Sequence, residues 1–199
     1  MLKRIADKNL IQTEITTTYL FRISGFLLGK EATKEDKMED IRPMRIEDIP
    51  ECVSVIRSAF KTVADDLGFT PENAPRFTAF ATDEKRLYYQ FTEEHRPMYV
   101  FEKDGRMIGY YSLAILNDDE IELNNLSVLP DQRHNGTGKK LLEDCFLRAK
   151  ESGAKKVKIG IVEENKILRR WYEDQGFVHT GSVKYDFFPF TCGYMEKEV

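Results

Sequence analysis

From Val128 to Val162 the chain changes periodicity twice, and the order of those changes limits the fold more than any other stretch. Val128 closes an apolar strand-like segment, and the basic run that follows is broken by Gly136 and Gly138. Leu141, Leu142, Cys145, Phe146 and Ala149 then recur at helical spacing until Ser152-Gly153. Val157, Ile159 and Ile161 follow, alternating with polar or small residues over a strand length. Strand, helix and strand in that order predict a parallel pair joined by a crossover. The glycines also let a backbone approach a ligand closely, and the first free N–H groups of a helix point at whatever negative charge sits there. The expected guest is a phosphate-bearing cofactor.

Spacing excludes two common phosphate loops. The triphosphate loop G-x-x-x-x-G-K-(S/T) needs a glycine where this chain has Arg133 and a hydroxyl where it has Lys140. The dinucleotide fingerprint G-x-G-x-x-G would put its third glycine at Leu141 and its first directly after the strand. What remains, Arg133-x-x-Gly136-x-Gly138 before a helix, resembles the pyrophosphate turn of the GNAT superfamily of acetyl-CoA-dependent N-acetyltransferases, (Q/R)-x-x-G-x-(G/A). Alone, such a turn also reads as a solvated connection with helix-favouring lysines. Downstream, Asn165-x-x-x-x-x-x-Tyr172-x-x-x-Gly176-Phe177 is similar to the N…Y…GF signature after the family's fifth strand. The resemblance covers roughly residues 41–199 and implies an α/β (α+β) fold: a mixed, centrally splayed β-sheet flanked by helices on both faces.

A phase slip upstream agrees with it. Ile121 and Leu123 are apolar on the odd-numbered face, Leu126 and Val128 on the even-numbered one, so the alternation shifts between Asn124 and Asn125. A period-2 strand does this by inserting a bulge, unless it is buried on both faces. A bulge would turn this strand away from the one at residues 156–162 and open a wedge. The resemblance implies that the pantetheine arm of acetyl-CoA pairs there with the backbone of Leu126, Ser127 and Val128. It further implies that Arg133, His134, Asn135, Gly136, Thr137, Gly138 and Lys139 hold the pyrophosphate and that Asn165 bonds the cofactor arm. Asn165 reads equally as a helix N-cap, and the two roles are compatible.

Acyl transfer to an alkylamine of pKa about 10.4 at pH 7 carries a deprotonation penalty of about 4.6 kcal/mol, so a base is required. Glu122, just before the slip and opposite in direction to Ile121 and Leu123, is the candidate; the other reading is a strand carboxylate in solvent. Some family members carry a glutamate five residues before the asparagine, where this chain has Gly160. By resemblance Tyr172 is the general acid for the departing thiolate. The expected activity is transfer of an acetyl group from acetyl-CoA to a primary amine by direct attack in a ternary complex, with a small-molecule acceptor. A protein N-terminus or lysine as acceptor is the first alternative, and a non-catalytic acyl-CoA-binding module the second.

A net charge of −4 offers no basic surface for nucleic acid or an acidic membrane. Cys52, Cys145 and Cys192 form no C-x-x-C pair and read as reduced thiols of a cytoplasmic protein, and His95, His134 and His179 show no metal-ligand spacing, so no metal is expected. Leu20 to Leu28 is apolar but too short to span a bilayer. Lys30 to Asp40 is charged and reads as a linker, making residues 1–40 an arm before the domain.

Asp48 with Glu51 suggests a capping box for a helix bearing Ile49, Cys52, Val53, Ile56, Ala59 and Phe60. Pro71 and Pro75 interrupt an aromatic-rich region that reads either as core or as the acceptor pocket, and residues 83–94 are expected to be helical. Met98 to Phe101 and Met107 to Leu116 predict a hairpin turning at Asp104-Gly105. The aromatic segment from Gly181 through Tyr194 is expected to supply the closing strands, and its surface makes a homodimer plausible.

Overall fold

The computed structural model describes residues 39–199, so the reading of an N-terminal arm lies outside the described residues except at its last two positions. Those two open β1 (Glu39–Pro43). Glu39 pairs across strands with Lys103 at 2.8 Å and also meets Lys140.

β2 (Met98–Lys103) and β3 (Arg106–Ile115) form the expected hairpin, with Asp104 and Gly105 both at positive φ (52° and 77°) as a two-residue primed turn requires. β4 (Glu120–Val128) returns antiparallel to β3, and β5 (Lys156–Val162) joins it in parallel after the crossover helix α4 (Thr137–Glu151). The last two strands, β6 (Val178–Lys184) and β7 (Thr191–Glu198), complete a seven-stranded sheet of order β1-β2-β3-β4-β5-β7-β6. β7 thus inserts beside β5. Residues 185–190, read from the sequence as strand, are instead the loop that makes the insertion possible, and β6 starts earlier, at Val178.

Both faces of the sheet carry helices, as the expected fold class requires. Along β3 the alternation changes phase at Ile108, the extra residue between Met107 opposite Glu102 and Gly109 opposite Phe101, and this decides which side chain goes where. Tyr111 and Leu113 pack with Leu141, Leu142 and Cys145 of α4 and Tyr172 of α5 (Lys166–Asp174). Met107 and Tyr110 pack on the other side with Ile49, Cys52 and Ile56 of α1 (Ile49–Leu67), together with Leu87 of a later helix. A four-residue turn, α2 (Thr78–Ala81), and α3 (Glu84–Thr92), capped by Asp83 accepting from the Arg86 amide, complete that layer. α5 departs from its apolar stripe at one position. Leu168, Trp171 and Tyr172 face the sheet, but Ile167 is 87% exposed.

The capping box expected at Asp48 is not formed for α1. Its carboxylate instead accepts the Arg45 amide at 2.7 Å within a preceding 3-10 turn and pairs with Arg42 at 2.6 Å. That pairing holds the Asp48 carboxyl below its usual range. Pro50 in the first turn, whose missing N–H costs nothing there, starts the helix, and Gly68 (φ 69°) ends it.

Candidate functional site

β4 gains one residue on β3 at the position the phase slip indicates. Tyr110 faces Ser127 and Ser112 faces Asn124, so Tyr111 alone spans Asn125 and Leu126. Asn125 takes the left-handed conformation (φ 53°), which asparagine tolerates better than most side chains. The bulge keeps Ile121, Leu123, Leu126 and Val128 on the face that packs against α4 and α5.

Its second effect is on the parallel neighbour. β4 and β5 pair only from Glu120–Lys156 to Glu122–Lys158, and then they part. β5 meanwhile stays paired with β7 along its whole length, from Lys156–Glu198 to Val162–Cys192. The β4 backbone beyond Glu122 thus has β3 on one side and no strand on the other.

The glycine turn stands at the end of that gap. His134 (φ 62°) and Gly136 (φ 81°) are both left-handed, and Gly136 is the N-cap of α4 without any side-chain cap. The first helix amide that finds a backbone acceptor is Lys140, bonded to Gly136 at 3.0 Å; those of Thr137, Gly138 and Lys139 find none among the described residues. Three convergent amides at the positive end of a helix dipole constitute an anion seat. Gly138 lies against Val128 and Trp171, and a Cβ there would sit 3.8 and 3.6 Å from them.

Arg133 is turned away from the seat. Its Nε donates to the Val128 carbonyl at 3.2 Å, Nη1 to Thr62 Oγ1 at 2.9 Å and Nη2 to the Ala59 carbonyl at 2.8 Å. Burial draws its pKa down, yet it ties the end of β4 to α1. Lys140 is likewise engaged with Glu39, whereas Lys139 is exposed beside Glu143.

On the β5 side, Asn165 caps α5, its Oδ1 accepting the Leu168 amide at 3.0 Å. Tyr172 is 6% exposed, edge-on to Trp171 and Phe177 at 4.8 and 5.4 Å, and its hydroxyl has no hydrogen bond to the described residues. Burial raises its pKa, so the phenol keeps its proton at neutral pH. Glu122 lies on the opposite face of the sheet, in the direction of α1, and is half-buried. Its neighbour Glu120 is claimed by Lys158 at 2.8 Å, which holds the Glu120 carboxyl below its usual range.

The aromatic region divides. Phe69, Phe77 and Phe190 pack edge-on or tilted against one another with centroids 5.2–5.7 Å apart in a core cluster of their own, whereas Tyr88 and Tyr89 line a surface groove of about 620 Å³ between α3 and the start of α1. Tyr194, opposite Gly160 on the far side of β5 from β4, has no signal in the sequence, because its placement depends on β7 inserting beside β5.

A mixed sheet parted at its centre, with a bare helix N-terminus at the end of the parting, is the frame that the resemblance to acetyl-CoA-dependent transferases implies. Residues 65–177 match the family model described as Acetyltransferase (GNAT) family, and the chain belongs to that family; it is an acyltransferase of the N-acetyltransferase kind. An uncharacterized N-acetyltransferase of Mycobacterium tuberculosis is 28% identical over 112 residues, which is 56% of this chain and 72% of that protein. Among solved structures, the PaiA N-acetyltransferase of Thermoplasma acidophilum in complex with coenzyme A has a TM-score of 0.70 at 20% identity, covering 81% of this chain and 99% of its own. The ribosomal-protein-S18-alanine N-acetyltransferase of Escherichia coli gives 0.61 at 18% identity, with 81% and 94% covered.

Proposed function

We propose that this enzyme moves the acetyl group of acetyl-CoA to a primary amine by direct attack in a ternary complex. The observation that carries the reading is the parting of β4 from β5 after Glu122 and Lys158, with the free amides of residues 137–139 at its end. In this reading the diphosphate sits on the turn His134–Lys139, and the pantetheine arm takes the place of a missing strand beside Leu126, Ser127 and Val128. Asn165 adds a bond through the amide nitrogen that its capping role leaves over. Arg133 serves by holding the Val128 carbonyl rather than by touching phosphate.

The amine nitrogen attacks the thioester carbonyl, forming the C–N bond and breaking C–S. Glu122 takes the proton the nitrogen sheds, directly or through water, and Tyr172 supplies one to the departing sulfur. The buried phenol suits that role because it is protonated when the substrate arrives. A small-molecule amine is the first acceptor; a peptide N-terminus is the second reading, favoured by the exposure of Gly160, where a Cβ would meet nothing within 4 Å. The test is thiol release with a panel of small amines and short peptides, run beside titration of acetyl-CoA against the fluorescence of Trp171. That residue is the chain's single tryptophan and lies against Gly138. Absence of both a fluorescence change and thiol release would overturn the reading.

A further inference from the structure

On the face of the sheet directed toward α1, the strands β4, β5 and β7 present a row of charges that are matched in pairs. Glu120 meets Lys158 at 2.8 Å, and Glu196 meets Lys156 at 2.9 Å. Glu122 stands in the same row, one pairing step on, and makes no ion pair with any described residue. The next position of β5 is Gly160, which is exposed and has open space where a side chain would stand. Directly opposite Gly160 on β7 is Tyr194, its hydroxyl 2.9 Å from that of Tyr185. Tyr185 is itself fixed by stacking on Phe187 at 5.2 Å in the loop before β7.

A carboxylate without a cation and a tethered phenol thus stand on the strands either side of a glycine, at the level where β4 and β5 part. We infer that Glu122 and Tyr194 are the walls, and Gly160 the floor, of the slot that receives the acceptor's ammonium, and that Tyr194 accepts one of its N–H bonds. When Tyr194 donates its own proton to Tyr185, its oxygen presents lone pairs to the slot, so Tyr185 acts as a positioning residue. The ammonium supplies the charge that Glu122 lacks. Tyr194 already responds to this setting: the bond to Tyr185 comes first, and burial and the Glu122 charge add to it, in pushing its hydroxyl up to about 12. The inference rests on the acetyl-transfer reading and adds to it the residues that recognise the acceptor.

Gly160→Leu is the informative variant, since its backbone is unstrained and its surroundings are open, so the fold tolerates the side chain while the slot does not. With 1,4-diaminobutane and alanyl-alanine amide as probes, Gly160→Leu should lose transfer to both and still bind acetyl-CoA. Tyr194→Phe should raise the KM for both amines about tenfold, the worth of one hydrogen bond to a charged group, with acetyl-CoA affinity unchanged. Tyr185→Phe should shift the same KM by less. Unchanged amine KM in Tyr194→Phe together with normal turnover in Gly160→Leu overturns the slot and leaves the acetyl-transfer reading intact. Calorimetric titration of the CoA-loaded protein with the same amines reads the slot without turnover. Binding that Glu122→Gln and Gly160→Leu abolish supports it even if transfer fails, and binding equal in all three proteins, or absent from the wild type, refutes it.

Discussion

Replacing Tyr172 by phenylalanine removes one oxygen and nothing on which the fold depends. The ring contacts with Trp171 and Phe177 survive the change, and the hydroxyl has no hydrogen bond to break. The variant is therefore expected to be about as stable as the parent. The chemistry should suffer instead. A positioned general acid contributes roughly 10²–10⁴ in rate, and kcat should fall within that range, equivalent to about 3–5 kcal/mol on the barrier. Acetyl-CoA affinity, followed through Trp171, should stay nearly constant, since the loss concerns a proton delivered in the transition state and not a contact made by the bound thioester. Equal kcat in the two proteins removes Tyr172 from the mechanism. A fall in affinity that matches the fall in kcat makes it a wall of the cofactor cleft.

The two turn glycines should separate strain from fit. Gly136→Ala places a side chain at φ 81° and should destabilise the protein by about 1 kcal/mol, whereas Gly138→Ala meets only ordinary contacts and should be neutral or stabilising by up to about 1 kcal/mol; denaturant midpoints decide. Gly138→Val should fold and fail to titrate with acetyl-CoA, and normal binding by it speaks against the anion seat. Arg133→Lys loses a fork that reaches three oxygens and should cost about 2 kcal/mol of stability; unaltered stability with acetyl-CoA binding lost would instead send the guanidinium to a phosphate. Burial raises the pKa of Tyr110, Tyr111 and Tyr172 above 10.0, so the folded chain holds these protons more tightly than the unfolded one. Their contribution is complete below pH 10 and is lost as pH rises beyond it, about 1.4 kcal/mol per pH unit for each. Tyrosinate absorbance should therefore show a cooperative step coincident with unfolding, and a gradual rise with no such step contradicts the burial.

Much of the frame was legible because it is written in local periodicity. The hairpin at Asp104-Gly105, α4 and β5 follow from alternation, turn chemistry and an apolar stripe, none of which needs a distant partner. The bulge at Asn125 was legible for the same reason: a period-2 strand cannot change face without an extra residue. Local pattern misled where a partner outside the segment decided the outcome. Ile167 continues an apolar stripe but points past the edge of what α5 covers, Asp48 is drawn off its helix by Arg42, and the aromatic run of residues 185–190 packs into a loop.

By itself the sequence determined the hairpin, α4, β5, the slip in β4 and the glycine-opened helix start, since these depend on interactions within a few residues of chain. Only the tertiary structure decided that β7 enters beside β5, that Arg133 turns inward to Ala59 and Thr62, and that Tyr194 stands opposite Gly160. Those placements are settled by which backbone edges remain unpaired once the other strands have docked, and by where a guanidinium or phenol finds its partners. Both are properties of the assembled sheet, and no spacing along the chain encodes them.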